Sequence, residues 1–289
     1  MPDGFGYSYS FRQPVRGQAE SILLQSYQLG ATVPAWQTAT DGLFINASVK
    51  TLGIQTQAVF TDDRELIPNR FWDVQLGGTY VRQLSSDTSI GISMAFGSAS
   101  NKPFESIRED TISALAFYRT AQNENDAWLF YLMSMTNGQI GRNIPIPGVA
   151  YEFERDVLQG IVGFPFVSLT YKPFDSWKFQ LYFAPITDLR ATTTYSITDR
   201  WSVASGFIWD NQSYFRAERN RRHEFLFLYE KKLESSLQYN VTSRINFNLT
   251  GGYAFDRFFV ENHGFGLRGR NRTDIGSGPY SGCQLNFNY

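Results

Sequence analysis

Hydrophobic and polar residues alternate one by one along most of this chain, a period that puts every second side chain on the same face of a strand. Between 177 and 184 one face carries Trp177, Phe179, Leu181 and Phe183, the other Lys178, Gln180, Tyr182 and Ala184. Between 245 and 256, Ile245, Phe247, Leu249, Gly251, Tyr253 and Phe255 oppose Asn246, Asn248, Thr250, Gly252, Ala254 and Asp256. Trp72, Val74, Leu76, Gly78 and Tyr80 share a face, as do Ile90, Ile92, Met94 and Phe96. The chain closes with Leu285, Phe287 and Tyr289 against Gln284, Asn286 and Asn288. Alternation alone fits a soluble β-sandwich equally well, because each sandwich sheet also packs one face inward.

Three features favour a membrane barrel. The faces opposite the aromatics are small and polar, as at Gly91, Ser93 and Ala95 or Ser202, Ala204 and Gly206, where a soluble sheet would show more Lys and Glu. Such residues suit a wet lumen. The hairpins YKPFDSW (171–177), YSITDRW (195–201) and YNVTSRI (239–245) repeat one plan: aromatic, short polar turn, apolar re-entry. From 171 to 195 there is room for two strands of about 9–11 residues plus turns, the length that crosses a bilayer. Tyr118 and Trp128 bracket another short turn. This predicts a girdle of Tyr171, Trp177, Tyr195, Trp201, Tyr239 and Tyr289 at one membrane interface. Finally, an alternating last strand ending on Tyr289 resembles the recognition signal of bacterial outer-membrane barrels.

Short turns fall at 39–42, 85–88, 123–126, 173–176, 198–200 and 241–244. Long loops fall at 61–70, 101–109, 137–156, 211–223 and 257–275, with a tight outer connection at 185–188. This gives about thirteen strands from Leu23 onward, and the even number usual in such barrels adds a first strand at 5–11. The predicted fold is all-β: one domain, 1–289, forming a single closed antiparallel transmembrane β-barrel of about fourteen strands. The count is about twelve if the N-terminal stretch 1–22 is peripheral to the wall. Its lumen face is predicted to carry Gln75, Thr79, Ser93, Lys178, Gln180, Ser202, Asn246, Asn248, Thr250, Gln284 and Asn286. Two segments break the pattern. Lys231 follows Phe225, Phe227 and Tyr229 on the apolar face, where a mid-bilayer lysine costs about 2–4 kcal/mol; a bulge or an interfacial position is expected. Residues 127–135 are apolar on both faces, and 151–153 reads as a short extra strand within its loop.

Composition narrows the chemistry. With 16% aromatic and 18% charged residues and a net charge of −1, the chain is neither disordered nor suited to nucleic acid. No apolar run reaches about 18 residues, so a transmembrane helix is excluded. A mean hydropathy of −0.30 is compatible with barrel strands that alternate. Met1-Pro2-Asp3-Gly4 lacks the basic and apolar regions of a signal peptide, so the numbering is expected to begin after a removed signal or at a truncated start. One cysteine, Cys283, allows neither an intramolecular disulfide nor a thiolate cluster, and two histidines, His223 and His263, leave little for zinc. No G-x-S-x-G elbow or metal spacing is present; no enzyme activity, metal or cofactor is expected. The acid pairs Asp62-Asp63 and Glu109-Asp110 read as solvated loop charge rather than a calcium cage. Arginines gather in two outer loops, Arg216, Arg219, Arg221 and Arg222 in one, Arg257, Arg268, Arg270 and Arg272 in the other. Guanidinium geometry suits phosphate. Arg219, Arg221, Arg222, Arg268, Arg270 and Arg272 are therefore candidate contacts for anions or lipopolysaccharide, against the plainer reading of solvated charge partly paired with Glu218, Glu224 and Glu261.

The stretches GSASNKPF (97–104), IPIPGVAYEF (144–153), GFPF (163–166), WDNQSYF (209–215), YEKKL (229–233), GGYAFDRFF (251–259) and GSGPY (276–280) resemble a family of uncharacterised outer-membrane β-barrel proteins from Gram-negative bacteria. The resemblance covers roughly the last two thirds of the chain and implies fold and location, with no activity to carry over. The expected role is a passive pore or small-solute transporter, because a barrel this wide is not filled by side chains as an eight-stranded one is. A plugged structural or surface-interaction barrel, an outer-membrane hydrolase and a soluble all-β module are the alternatives. The partners expected are outer-membrane lipid and lipopolysaccharide, the barrel-assembly machinery and small solutes, with no nucleic acid, and the expected location is the bacterial outer membrane.

Overall fold

The computed structural model describes residues 3–138, 143–184, 188–219, 224–264 and 266–287. Its strands in chain order are β1 (Gly4–Pro14), β2 (Ser21–Gln37), β3 (Asp41–Gln55), β4 (Arg70–Gln83), β5 (Thr88–Ser100) and β6 (Asp110–Asn123). They continue with β7 (Asp126–Met135), β8 (Ile146–Glu154), β9 (Leu158–Phe164), β10 (Val167–Phe174), β11 (Trp177–Ala184) and β12 (Asp188–Ser196). The last are β13 (Trp201–Tyr214), β14 (Phe225–Asn240), β15 (Ile245–Asn262), β16 (Arg270–Ile275) and β17 (Gly278–Phe287). Each strand pairs antiparallel with its neighbours, and β1 closes the ring by pairing with β17 on one side and β2 on the other.

Among the described residues the ring has 16 strands, β1 to β15 and β17, with one further strand outside that count. The outside strand, β16, pairs with the far end of β15 (Arg257 opposite Ile275), and β17 takes up the same edge in unbroken register (Ala254 opposite Gly278). The expectation of about fourteen strands, or about twelve, is therefore corrected. The difference lies in 137–174, read from sequence as a long loop and one strand. It holds β8, of which 151–153 is only the middle, and a hairpin in which β9 reverses into β10 at Pro165-Phe166. That reversal lacks the Gly, Asn or Asp that normally marks a tight hairpin. Two loops are also shorter than expected: β13 runs to Tyr214, and β15 runs to Asn262.

Short turns gather at one end and, apart from the tight reversal of β9 into β10, the longer connections lie at the other. Three turns share one local device, a leading threonine whose hydroxyl accepts from the amides two and three residues on. Thr38 accepts from Thr40 and Asp41 at 3.3 and 3.0 Å, Thr198 from Arg200 and Trp201 at 3.2 and 3.0 Å, and Thr242 from Arg244 and Ile245 at 3.1 and 3.0 Å. Beside these turns aromatic rings pair across strands, Trp177 with Tyr195 at 5.0 Å and Trp201 with Tyr239 at 4.5 Å. Tyr171 approaches Phe179 at 6.1 Å, and Trp128 approaches Tyr151 at 5.1 Å farther round the ring. Tyr289 lies outside the described residues, as do 185–187 of the expected tight connection.

The outside of the wall is apolar: Phe179, Leu181, Phe183, Phe247, Leu249 and Phe287 are 37–54% exposed. Both irregular segments now have a physical basis. Lys231 faces outward, bonds Asp256 at 2.6 Å and lies 5.4 Å from the Trp209 ring, beside a register shift at which Asp256 takes a left-handed φ of 49°. In β7 the inward face is apolar too, because Tyr131 lies against Gly148 of β8, where any Cβ would meet its ring. The wall is uneven in height. Strands β2, β14 and β15 have 17, 16 and 18 residues, whereas β9, β10 and β11 have 7, 8 and 8.

Candidate functional site

Directly opposed residues on neighbouring strands share a face, so the pairing register carries the inner face around the ring. It runs Ser202–Gln238–Asn248–Gln284 across β13, β14, β15 and β17, and Asn246–Asn286 one step lower. Thr79 pairs with Ser93 and donates to it at 2.9 Å, and Gln75 lies opposite Ser48. Lys178 and Gln180 face inward opposite Thr194 and Thr192. Thr250 and Gln284 line a cavity of about 720 Å³, within the size range of small-molecule sites.

That cavity is a charged chamber midway up the lumen. Its cations are Lys50 from β3, Arg190 from β12, Lys232 from β14 and Arg257 from β15. Its anions are Asp188 from β12, Asp210 from β13, and Glu230 and Glu234 from β14. Arg257 bonds Glu230 at 3.1 Å and the Ser10 hydroxyl at 2.8 Å. Lys232 bonds Glu230 at 2.5 Å and reaches Asp210 at 4.0 Å, and Arg190 bonds Asp188 at 3.1 Å. Tyr280, lying over Gly252, donates to Glu234 at 2.6 Å; a Cβ on Gly252 would come within 2.7 Å of that ring. Sequence reasoning missed these groups. Their signal in the sequence is a charge at an inward-facing position within a strand, present at Asp210, Lys232 and Glu234, next to the more conspicuous Lys231 on the other face.

Leu24, Leu52 and Leu228 border the chamber on one side and belong to a dry apolar plug on the other. The plug fills the lumen toward the long-loop end with Ile54, Phe71, Tyr214, Leu226 and Phe259 from the wall and Ile275 from β16. The connection between β3 and β4 folds into it as a lid. Within 56–69, Val59 bridges Leu66, and Ala58, Phe60 and Ile67 are buried among the plug residues. Burying a phenylalanine contributes about 1.5–3 kcal/mol, so the lid has a strong apolar hold.

Ion pairs pin the lid from above. The Arg216 side chain, 4% exposed, bonds Asp63 at 2.6 Å, Glu65 at 2.9 Å and Glu261 at 2.9 Å, with its guanidinium 4.9 Å from the Phe60 ring. Asn271, at a left-handed φ of 55°, donates its side-chain amide to Asp63 and Glu261 at 2.8 and 2.6 Å and accepts from the amides of Asp62 and Asp63. Burial opposes the ionisation of Asp63, but bonds from Arg216, the Glu65 amide and Asn271 outweigh it and hold the carboxyl below its ordinary range.

Opposite walls also meet above the chamber. β5 and β13 face each other in the ring, with β6 to β12 between them on one side and β14 to β4, through β17 and β1, on the other. Ser100 nevertheless bridges Phe215, whose amide donates to Ala99 at 2.7 Å, and the Phe71 and Tyr214 rings approach to 5.0 Å. The taller half of the wall thus closes on itself. Strand β14 is buried on both faces at this level: Leu226 and Leu228 enter the plug, while Phe225, Phe227 and Tyr229 join Phe258 and Val260 in a second apolar cluster.

The arginines named from sequence take different places. Arg219 is buried against Glu109 at 3.1 Å and donates to the Arg108 carbonyl at 2.9 Å. Arg270 pairs with Glu224 at 3.4 Å, and Arg272 bonds Asp274 at 2.9 Å while stacking 3.8 Å from Phe258. Arg268 is exposed; Arg221, Arg222 and His223 lie outside the described residues. His263 stands in an outer connection, 3.9 Å from Glu224.

No protein-family model matches the chain, and neither does any curated protein, so the family resemblance of the 97–280 stretches has no matching family model behind it. Among solved structures it is similar to an outer membrane channel from Pseudomonas putida F1, at 9% identity and a TM-score of 0.36, over 99% of this chain and 96% of that one. It is similar to OccK8 (OprE) of Pseudomonas aeruginosa at 8% identity and a TM-score of 0.27, over 98% and 96%. It spans 59% of a ferric enterobactin receptor of Pseudomonas aeruginosa, at 8% identity and a TM-score of 0.38. At such scores these likenesses identify neither a substrate nor a role.

Proposed function

We propose that the protein is an integral outer-membrane barrel that passes small solutes through its lumen and is held shut at its long-loop end in the state described. The observation that carries this reading is the charged chamber beneath a lid that noncovalent contacts hold in place. A barrel serving only as a surface scaffold needs neither space nor charge at that level. The membrane location rests on the apolar outer face and on the aromatic pairs beside the short turns. Lipid would cover that face, the barrel-assembly machinery would insert it, and exposed Arg268 would meet lipopolysaccharide phosphate.

Planar-bilayer conductance tests the proposal. The refolded wild-type barrel is expected to be almost silent. A variant combining Arg216→Ala and replacement of 57–66 by a short Gly-Ser linker with Phe71→Ala and Tyr214→Ala, which loosen the contact between opposite walls, is expected to give stepwise currents. Silence in that variant, with the barrel folded by circular dichroism, would leave the plugged structural reading in its place.

A further inference from the structure

We infer that the lumen chamber binds a small zwitterion with an apolar side chain, an amino acid or short peptide, with Lys50 meeting its carboxylate and Glu234 its ammonium group. The inference deepens the solute-passing reading and rests on it for its biological sense.

Three observations carry it. The lining is balanced in charge, four cations against four anions. A ligand with net charge would upset that balance, whereas a dipolar ligand would not. Most of these charges are already matched at contact distance. Arg257 and Lys232 share Glu230, Lys232 also reaches Asp210, and Arg190 holds Asp188. Two groups are left open at contact range. Lys50 makes no ion pair within 4.0 Å among the described residues, although Asp73, Asp188 and Asp210 act on it from farther away. Glu234 has the Tyr280 hydroxyl but no cation within the same limit, with Arg190 acting on it from farther away. These two lie on walls separated by β2, β1, β17 and β15, so a ligand that meets both carries opposite charges at its two ends.

The third observation is the apolar roof. Leu24, Leu52, Ile208 and Leu228 border the same space and offer a surface for a hydrocarbon side chain. On the side away from the plug the lining reaches Gly6, Gln28 and Gln284, nearer the short-turn end, so a ligand has a polar approach that leaves the lid in place.

The test is calorimetric titration of the refolded barrel in detergent with L-alanyl-L-leucine, its N-acetyl form, which lacks the ammonium group, and its C-terminal amide, which lacks the carboxylate. The zwitterion is expected to bind at least tenfold tighter than either blocked form. Lys50→Met should erase the preference over the amide alone, and Glu234→Gln the preference over the N-acetyl form alone. Neither substitution breaks a contact-range ion pair, and circular dichroism checks that both variants fold. Equal binding of all three peptides, binding of none, or variants that leave both preferences intact would overturn the inference. Binding without flux into liposomes from a lid-released barrel would count against the solute-passing reading alone. Flux without binding would count against this inference alone.

Discussion

Arg216 joins the lid to the wall through one side chain, bonding Asp63 and Glu65 of the lid and Glu261 at the end of β15. Removing one partner of a buried, bonded charge set leaves the others uncompensated, at a cost of about 3–5 kcal/mol. Arg216→Ala should therefore loosen the lid, read as faster hydrogen exchange at Phe60 and Ile67 with little change in the lower wall. Acid should act in the same direction. Asp63 has a folded pKa below its unfolded value, so its contribution is complete above the ordinary carboxylate range and is lost as pH falls through the depressed value. A spin label at exposed Leu66 should gain mobility as pH falls below the ordinary carboxylate range, where Asp63 gives up its charge. A label that stays immobile there would show that another group holds the lid. None of this was legible in the sequence, where Arg216 was one of several clustered loop arginines and Asp63 one of a solvated pair. Alternation assigns faces within strands, but it cannot say which loops fold inward.

Among the elements, β14 records the level at which the outer surface changes character. Below Lys231, Leu233 and Leu237 are exposed on the outer face; above it, Tyr229 and Phe227 are covered. With Asp256 and Trp209 beside it, Lys231 marks the upper boundary of the apolar belt. Lys231→Met should change unfolding stability by no more than about 1 kcal/mol, whereas Leu237→Lys, lower on the same face, should cost about 2–4 kcal/mol. Urea unfolding of barrels refolded into vesicles measures both, and equal costs would remove the boundary. The sequence already raised this position as a bulge or an interface, because a lysine among aromatics on one face is a local contradiction. The hairpin from β9 to β10 offered no such contradiction. Gly163-Phe164-Pro165-Phe166 is apolar like the strands beside it, so β9 and β10 read as one strand.

At the scale of the molecule, the contact between β5 and β13 joins residues 115 positions apart in sequence, Ser100 and Phe215. No periodicity reports such a contact, so the choice between an open and a plugged lumen was not legible in the sequence. The inner and outer faces were legible because one dominant period sets both. The uneven wall has a consequence for the surrounding lipid. At about 3.3 Å per residue and a tilt near 40°, strands β9 to β11 rise only about 18–20 Å, against an apolar band of about 25 Å in barrels of this kind. On that flank hydrophobic mismatch would draw the two leaflets together, and the barrel would lean until its long and short sides share the deficit. Refolding should then be more complete in vesicles of 12-carbon than of 18-carbon phosphatidylcholine; equal yields in both would mean that the short flank is covered by something other than lipid.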